Sequence, residues 1–205
     1  GQGFGVVGSG NFHVTNALRA HGVPFTPARH ECGAAVMADA FARTSGEVAV
    51  VTLHQGCGLT NALTGITEAA KSRTPVLVLA ADTGGSAVRS NFRIDQDQVS
   101  AAVGAVPERV HSPASAVRDV LRAYTTCRGE RRTVVLNVPL DVQAAPGEPA
   151  PVRFTPPQPP RPNAAAVAEL AGLLDRAERP VFIAGRGARD AGPELAVLAD
   201  ACGAL

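Results

Sequence analysis

The chain has 205 residues, enough for one full-sized domain and part of a second. Apolar residues make up 45%, so a buried core is available, which argues against disorder over most of the length. Formal net charge is +1, from 19 basic and 18 acidic residues with no block of either sign, which argues against nucleic acid or an anionic membrane surface as the main partner.

Strand and helix periods alternate along the chain. Phe4 to Val7 reads as a short apolar strand that runs into Gly8-Ser9-Gly10-Asn11. Val14, Ala17 and Leu18 mark a helix closed by Gly22, and Glu31 opens another with Ala34, Ala35, Ala38, Phe41 and Ala42 on one face. Val48 to Leu53 is a continuous apolar strand, followed by a helix through Leu63, Ile66 and Ala70 and a buried strand from Val76 to Ala80. After an irregular stretch, Ser112-Pro113 supplies a cap and a favoured first residue for a helix through Val117, Val120, Leu121 and Tyr124. Thr133 to Val138 is the last strand of this block. Strands apolar throughout and separated by helices predict a doubly wound parallel α/β sheet with helices on both faces.

Residues 146–162 hold eight of the chain's 16 prolines and read as a stiff, extended linker between a domain at 1–145 and a second α/β unit at 163–205. That unit shows a helix through Val167, Leu170 and Leu174, a strand from Val181 to Ala184, and a helix over Leu195 and Leu198. It holds too few elements to bury a core and is expected to be the incomplete start of a larger domain. Gly1 opens almost directly on a strand with no initiator Met, so residues upstream are expected too. Cys32, Cys57, Cys127 and Cys202 lie far apart with no CxxC pair, so reduced thiols and a cytoplasmic location are expected, with no metal site. No apolar run approaches the ~20 residues that span a bilayer.

Three segments could carry chemistry. Gly8-Ser9-Gly10-Asn11 sits at the carboxyl end of the first strand, the edge where open α/β sheets bind ligands. It reads equally as a turn that needs glycine for its backbone. Arg29-His30-Glu31 leads into a helix. Glu31 there is either an ordinary first-turn carboxylate or, given the small side chains Gly33, Ala34 and Ala35 beyond it, the wall of a space for a flat ligand. His54-Gln55-Gly56-Cys57-Gly58-Leu59-Thr60-Asn61 follows the most hydrophobic strand and opens a helix. Its glycines and amides could hold an anion, but the segment has neither a P-loop nor a GxGxxG pattern. His54 reads as a general base or as a histidine held by a core hydrogen bond.

Taken in order, FGVVGSGN (4–11), RHECGAAVMADAFARTSG (29–46), LHQGCGLTNALTGITEAAKSRTPVLVLAAD (53–82), RRTVVLNVPLDVQ (131–143) and RPVFIAGRGA (179–188) resemble the thiamine diphosphate-dependent family. That family includes acetolactate synthase, benzoylformate decarboxylase and benzaldehyde lyase. The resemblance implies a pyrimidine-binding domain followed by the start of the family's central domain. It also implies that Glu31 is catalytic, hydrogen-bonding the cofactor's aminopyrimidine at N1′ so that the neighbouring amino nitrogen can take a proton. That role needs a carboxyl able to share a proton in a water-poor pocket. Gly8, His54 and Asn61 would border the cofactor, and Ser9, Gly10, His54, Gln55 and Arg93 the substrate.

The match has departures. His54, Gln55 and Cys57 replace the Thr, Ser and Pro of the TSGPGxTN stretch common in relatives; Arg93 stands where several place a glutamine; and Val7 stands where proline is usual. The implied reaction is 2-oxo acid decarboxylation with carboligation, acetolactate synthase-like. The alternatives are a simple decarboxylase or benzaldehyde lyase-like activity and, from another class, a non-catalytic binding or regulatory homologue. The GDG…N motif that holds magnesium and diphosphate is absent from the sequence. The resemblance therefore places Mg2+ ligands on a further C-terminal domain, leaves FAD in the central domain open, and implies a homo-oligomer with the active site at the subunit interface.

Overall fold

The computed structural model describes residues 1–147, 151–156, 158 and 160–205. Six strands run β1 (Gln2–Gly5), β2 (Phe25–Pro27), β3 (Ala49–Leu53), β4 (Val76–Asp82), β5 (Val106–Arg109) and β6 (Val134–Pro139). They form one sheet in the order β2-β1-β3-β4-β6-β5, every pair parallel. This is the doubly wound α/β fold expected from the apolar strands. The first strand lies two residues upstream of its expected place, because its ladder pairs Gln2–Gly5 with Ala49–Thr52 and leaves Val7 exposed beyond the sheet edge.

The register explains the core. Val51, Val78 and Val135 stand side by side across three strands, and so do their neighbours Val50, Leu77 and Val134. Side chains alternate between faces along a strand, so the first row points to one face and the second to the other. Helices α2 (Glu31–Ser45) and α3 (Cys57–Lys71) cover the first row, in a cluster with Phe4, Leu53, Leu59 and Ile66. The opposite face carries α1 (Phe12–Ala20) and α5 (Ala116–Gly129), with Val110, Ala123, Cys127 and Leu136 among its buried residues. The short helices α4 (Gln96–Ala102) and α6 (Leu140–Ala144) follow β4 and β6.

Helix α2 starts where its sequence signals a start. The His30 ring accepts from the Cys32 amide at 3.1 Å, Glu31 complements the dipole of the first turn, and Gly46 closes the helix at φ 75°. Its small residues have a different use from the one expected. Ala34, Ala35 and Ala38 are buried, and a Cβ added to Gly65 of α3 would lie 2.6 Å from the Ala35 methyl. The alanine run seats α3 against α2, while Gly33 is open on its outer side. Four elements escape the sequence patterns. β2 is three residues long, β5 (Val-Pro-Glu-Arg) is a polar edge strand, and α4 and α6 are too short to show a period.

Asp119, in α5, is 1% exposed. Burial pushes its pKa up, but hydrogen bonds from the Ser115 hydroxyl, the His111 amide and Arg122 outweigh that and hold the carboxyl far below the usual range. A carboxyl depressed on folding adds stability above its unfolded pKa of about 3.9, and that contribution is lost as pH falls toward the folded value. Asp119→Asn is therefore expected to lower stability at neutral pH, with the gap from wild type closing below about pH 4 in denaturant melts. A gap that stays constant with pH would show that the hydrogen bonds matter and the charge does not.

The chain divides into two compact units, Gly1–Pro157 and Gln158–Leu205. The expected linker at 146–162 lies partly outside the described residues. Within its described part, the Phe154 ring meets Tyr124 of α5 edge-on at 5.0 Å, so this stretch packs against the first unit. In the second unit, helices α7 (Ala164–Arg176) and α8 (Gly192–Cys202) contain no buried residue. The expected strand from Val181 to Ala184 is not formed. Two backbone hydrogen bonds, Phe182 N–H to Leu205 O and Leu205 N–H to Pro180 O, bracket Leu205, too few for a ladder, and Ile183 is 94% exposed. No helix among the described residues is long and apolar enough to cross a membrane.

Candidate active site

The chain leaves β1 for β2 on one side and returns to β3 on the other, so the carboxyl ends of β1 and β3 flank the topological switch point, where doubly wound sheets bind ligands. The three segments singled out in the sequence meet there.

The turn after β1 is fastened by Asn11. Its buried side-chain oxygen accepts from the Gly8 amide at 2.8 Å, and its amino group donates to Val6 O and to Thr52 Oγ1 of β3. Two glycines of this turn have close side-chain neighbours. A Cβ on Gly8 would stand 3.1 Å from His54 Cδ2, and one on Gly10 would overlap the Gln55 side-chain oxygen. That oxygen is buried and has no hydrogen-bond partner among the described residues. The Gly10 carbonyl accepts from Gln143 Nε2 at 3.1 Å.

His54 follows β3 directly. Its Nδ1 lies 3.0 Å from the Gln55 carbonyl, which can only accept, so Nδ1 carries the proton. Nε2 faces Ser9 Oγ at 3.4 Å. The ring packs edge-on against Phe92, centroids 5.0 Å apart. Gly56, next in the turn, holds φ 63°, and a Cβ there would lie 2.5 Å from Phe92 O. The Gly56 amide donates to Gln96 Oε1 at 2.8 Å. Gln96, buried under the sheet edge, also donates to Ala81 O and Asn137 Oδ1, which ties the β3 turn to β4 and β6.

Glu31, half-buried at the start of α2, faces the start of α3. Its Oε2 accepts from Asn61 Nδ2 at 3.0 Å. Its Oε1 has no hydrogen-bond partner among the described residues and lies 3.8 Å from where a Cβ on Gly58 would be. One oxygen is thus held and the other is uncommitted, beside a glycine whose missing side chain lets His54 pack close. Such a carboxyl fits the ring nitrogen of an aminopyrimidine. Among the described residues no cluster of three or more His, Cys, Asp or Glu could hold a metal ion.

The sequence-derived candidates therefore fall into three groups. Glu31 and Asn61 are bonded to each other. Gly8, Ser9, Gly10, His54 and Gln55 interlock around the β1 and β3 turns. Arg93 joins neither; it is exposed in the segment between β4 and α4 and lines a neighbouring cavity of about 650 Å³. Phe92 and Gln96 escaped sequence reading, since a lone aromatic in a polar stretch and a glutamine in a short helix carry no pattern.

The family described as "Thiamine pyrophosphate enzyme, N-terminal TPP binding domain" matches residues 2–102. The chain is 33% identical over 205 residues to the probable 2-ketoarginine decarboxylase AruI of Pseudomonas aeruginosa, covering 96% of this chain and 37% of that protein. It is 30% identical over 210 residues to the sulfoacetaldehyde acetyltransferase of Castellaniella defragrans, covering 98% and 34%. With the acetolactate synthase large subunit of Lactococcus lactis it shares 32% over 143 residues, covering 68% and 25%. The crystal structure described as that of a thiamin diphosphate-dependent enzyme from Mycobacterium smegmatis superimposes with a TM-score of 0.84 at 26% identity, over 99% of this chain and 40% of that one. The chain thus spans roughly a third of the length of its first curated relatives. The switch-point site, the matched pattern and these relatives together place the chain in the thiamine pyrophosphate enzyme family, with residues 2–102 matching its N-terminal TPP-binding domain.

Proposed function

We propose that the protein carrying this domain decarboxylates a 2-oxo acid and joins the remaining fragment to a second carbonyl, in the manner of acetolactate synthase. The observation that carries the reading is Glu31, with Oε2 held by Asn61 and Oε1 uncommitted at the edge of the switch-point crevice. Thiamine diphosphate, when bound, would supply a thiazolium carbon as nucleophile and electron sink for decarboxylation. Glu31 would hold the cofactor's pyrimidine ring through a proton shared at Oε1, in the rotamer that the Asn61 hydrogen bond to Oε2 fixes. Gly8 and Gly58 make room for the His54 side chain beside this site. His54, its Nδ1 proton committed to the Gln55 carbonyl, presents Nε2 to Ser9 and can hold a proton on the substrate side.

The diphosphate and Mg2+ ligands belong, in this reading, to another domain that meets this one across the interface of a cytoplasmic homo-oligomer. The domain start at 163–205 belongs to the central domain. His54 in place of threonine, and relatives that include a decarboxylase, favour simple decarboxylation as a second reading. A purely regulatory role is disfavoured by Glu31 and its partner Asn61.

Two measurements test this. Supplying the full-length enzyme with a panel of 2-oxo acids should release carbon dioxide and yield a product with a new carbon–carbon bond; an aldehyde as sole product selects the second reading. Calorimetric titration of the 205-residue chain with thiamine diphosphate and Mg2+ is expected to show no submicromolar binding, because the charged ligands that supply most of the electrostatic attraction lie elsewhere. Submicromolar binding by a monomer would mean the site is complete within this chain.

A further inference from the structure

The segment from Thr83 to Asp95, between β4 and α4, carries no helix or strand, yet it is well fastened. Three successive turns hold it, Ala87 N–H to Gly84 O, Ser90 N–H to Ala87 O and Arg93 N–H to Ser90 O. At one end the Gly85 amide donates to Asp141 at 3.0 Å, and at the other Phe92 packs on His54. A long connection held this way is more often a functional element than a spacer. It walls the 650 Å³ cavity beside the His54 turn, which is lined by three aspartates and three arginines that differ in how they are paired.

At the buried end the charges are engaged with one another. Arg109 pairs with Asp82 at 2.6 Å and approaches Asp97 at 3.7 Å, Asp82 accepts from the Thr83 amide, and Asp97 accepts from Asn137. At the outer end Asp95 caps α4 by accepting from the Gln98 amide. Arg89 and Arg93 are exposed, line the same cavity, and have no hydrogen-bond or ion-pair partner among the described residues.

We propose that this cavity binds an oxyanion through Arg89 and Arg93. Two guanidinium groups on a fastened segment that lines one cavity supply planar donors of the kind that suit a phosphate, sulfonate or carboxylate group. The close pairing of Asp82 with Arg109 keeps that carboxylate from competing for the outer arginines. The proposal goes beyond the thiamine chemistry and does not depend on it, since the arginines, turns and cavity all lie within this chain. The same ligand chemistry has two sources, a free inorganic anion or the charged group of a small organic molecule that reaches from the adjacent crevice past Phe92.

The 205-residue chain itself, without cofactor, serves for the test. Titration with inorganic phosphate, followed by backbone amide shifts, is expected to move Gly84, Gly85 and residues 89–93 saturably and to weaken as salt is raised. Arg89→Gln with Arg93→Gln should weaken that binding by about tenfold or more, as loss of two charge-assisted contacts requires. Arg118→Gln, an exposed arginine elsewhere, should leave it unchanged. Glycerol 3-phosphate binding more tightly than phosphate would identify the charged group of an organic molecule as the ligand; phosphate binding alone would identify a free anion. No saturable shift in wild type, or equal affinity in the double variant, overturns the proposal. A Glu31 variant inactive in catalysis would leave these titrations untouched, so the two readings fail separately.

Discussion

Replacing Glu31 by glutamine is expected to lower turnover of the intact enzyme by about 100-fold or more, the range for loss of a positioned acid–base group. The substitution is nearly isosteric. Its amide oxygen can still accept the hydrogen bond from Asn61, so the side chain should stay in place against the start of α3. What it loses is the second oxygen as a proton carrier, the Oε1 that faces Gly58 with no partner of its own. The direct readout is exchange of the cofactor's C2 proton for deuterium, followed by quenched-flow NMR, because that step precedes any substrate. Exchange should slow in parallel with turnover. Asn61→Ala should slow it less, since that change frees the carboxylate without removing its proton. Exchange near the wild-type rate in Glu31→Gln would remove Glu31 from the mechanism and leave it as a first-turn carboxylate at the start of α2.

The parts of this fold visible in the sequence are those whose period survives burial. Val76 to Ala80 is apolar at every position, and Val48 to Leu53 at all but Thr52, because both faces of a central parallel strand are covered, and Leu63, Ile66 and Ala70 repeat at helical spacing. β2 and β5 lie at the two edges of the sheet, where short or polar sequences suffice, and so left no signature. The strand expected at Val181 to Ala184 shows the converse: an apolar run has strand propensity, but a strand also needs a neighbour to pair with, and sequence cannot supply one. At the site, residue identity pointed to Glu31, Asn61 and His54 through the family resemblance, while their geometry was invisible. No pattern could show that Asn61 grips one oxygen of Glu31, that Ala34 and Ala35 serve helix packing, or that Arg93 lines a separate cavity.

Gln96→Ala is expected to be the most destabilising single change near the site, at about 3–5 kcal/mol, because it strands three buried groups at about 1–3 kcal/mol each. Gln96 is 2% exposed, and its amide bridges otherwise separate parts of the sheet edge: Gly56 N–H at 2.8 Å, Ala81 O at 3.0 Å and Asn137 Oδ1 at 2.7 Å. Each partner lies on a different strand or turn, so no local rearrangement replaces all three. For a unit of this size the loss corresponds to a fall in Tm of roughly 10 °C or more. The exposed neighbour Gln98 on the same helix is the control, and Gln98→Ala should stay within about 0.5 kcal/mol of wild type, as surface changes usually do. Thermal melts followed by circular dichroism at 222 nm would compare the two. The effect should reach the site as well. Gly56 follows Gln55 in the turn that carries His54, and its φ of 63° is kept by the bond to Gln96 and the close approach of Phe92. With that bond gone, amides 54–58 should exchange with solvent faster relative to the β4 core than they do in wild type. A drop of less than about 1 kcal/mol, within the net worth of one ordinary hydrogen bond, would mean that water takes over the role of Gln96 and that the β3 turn is held by its own backbone.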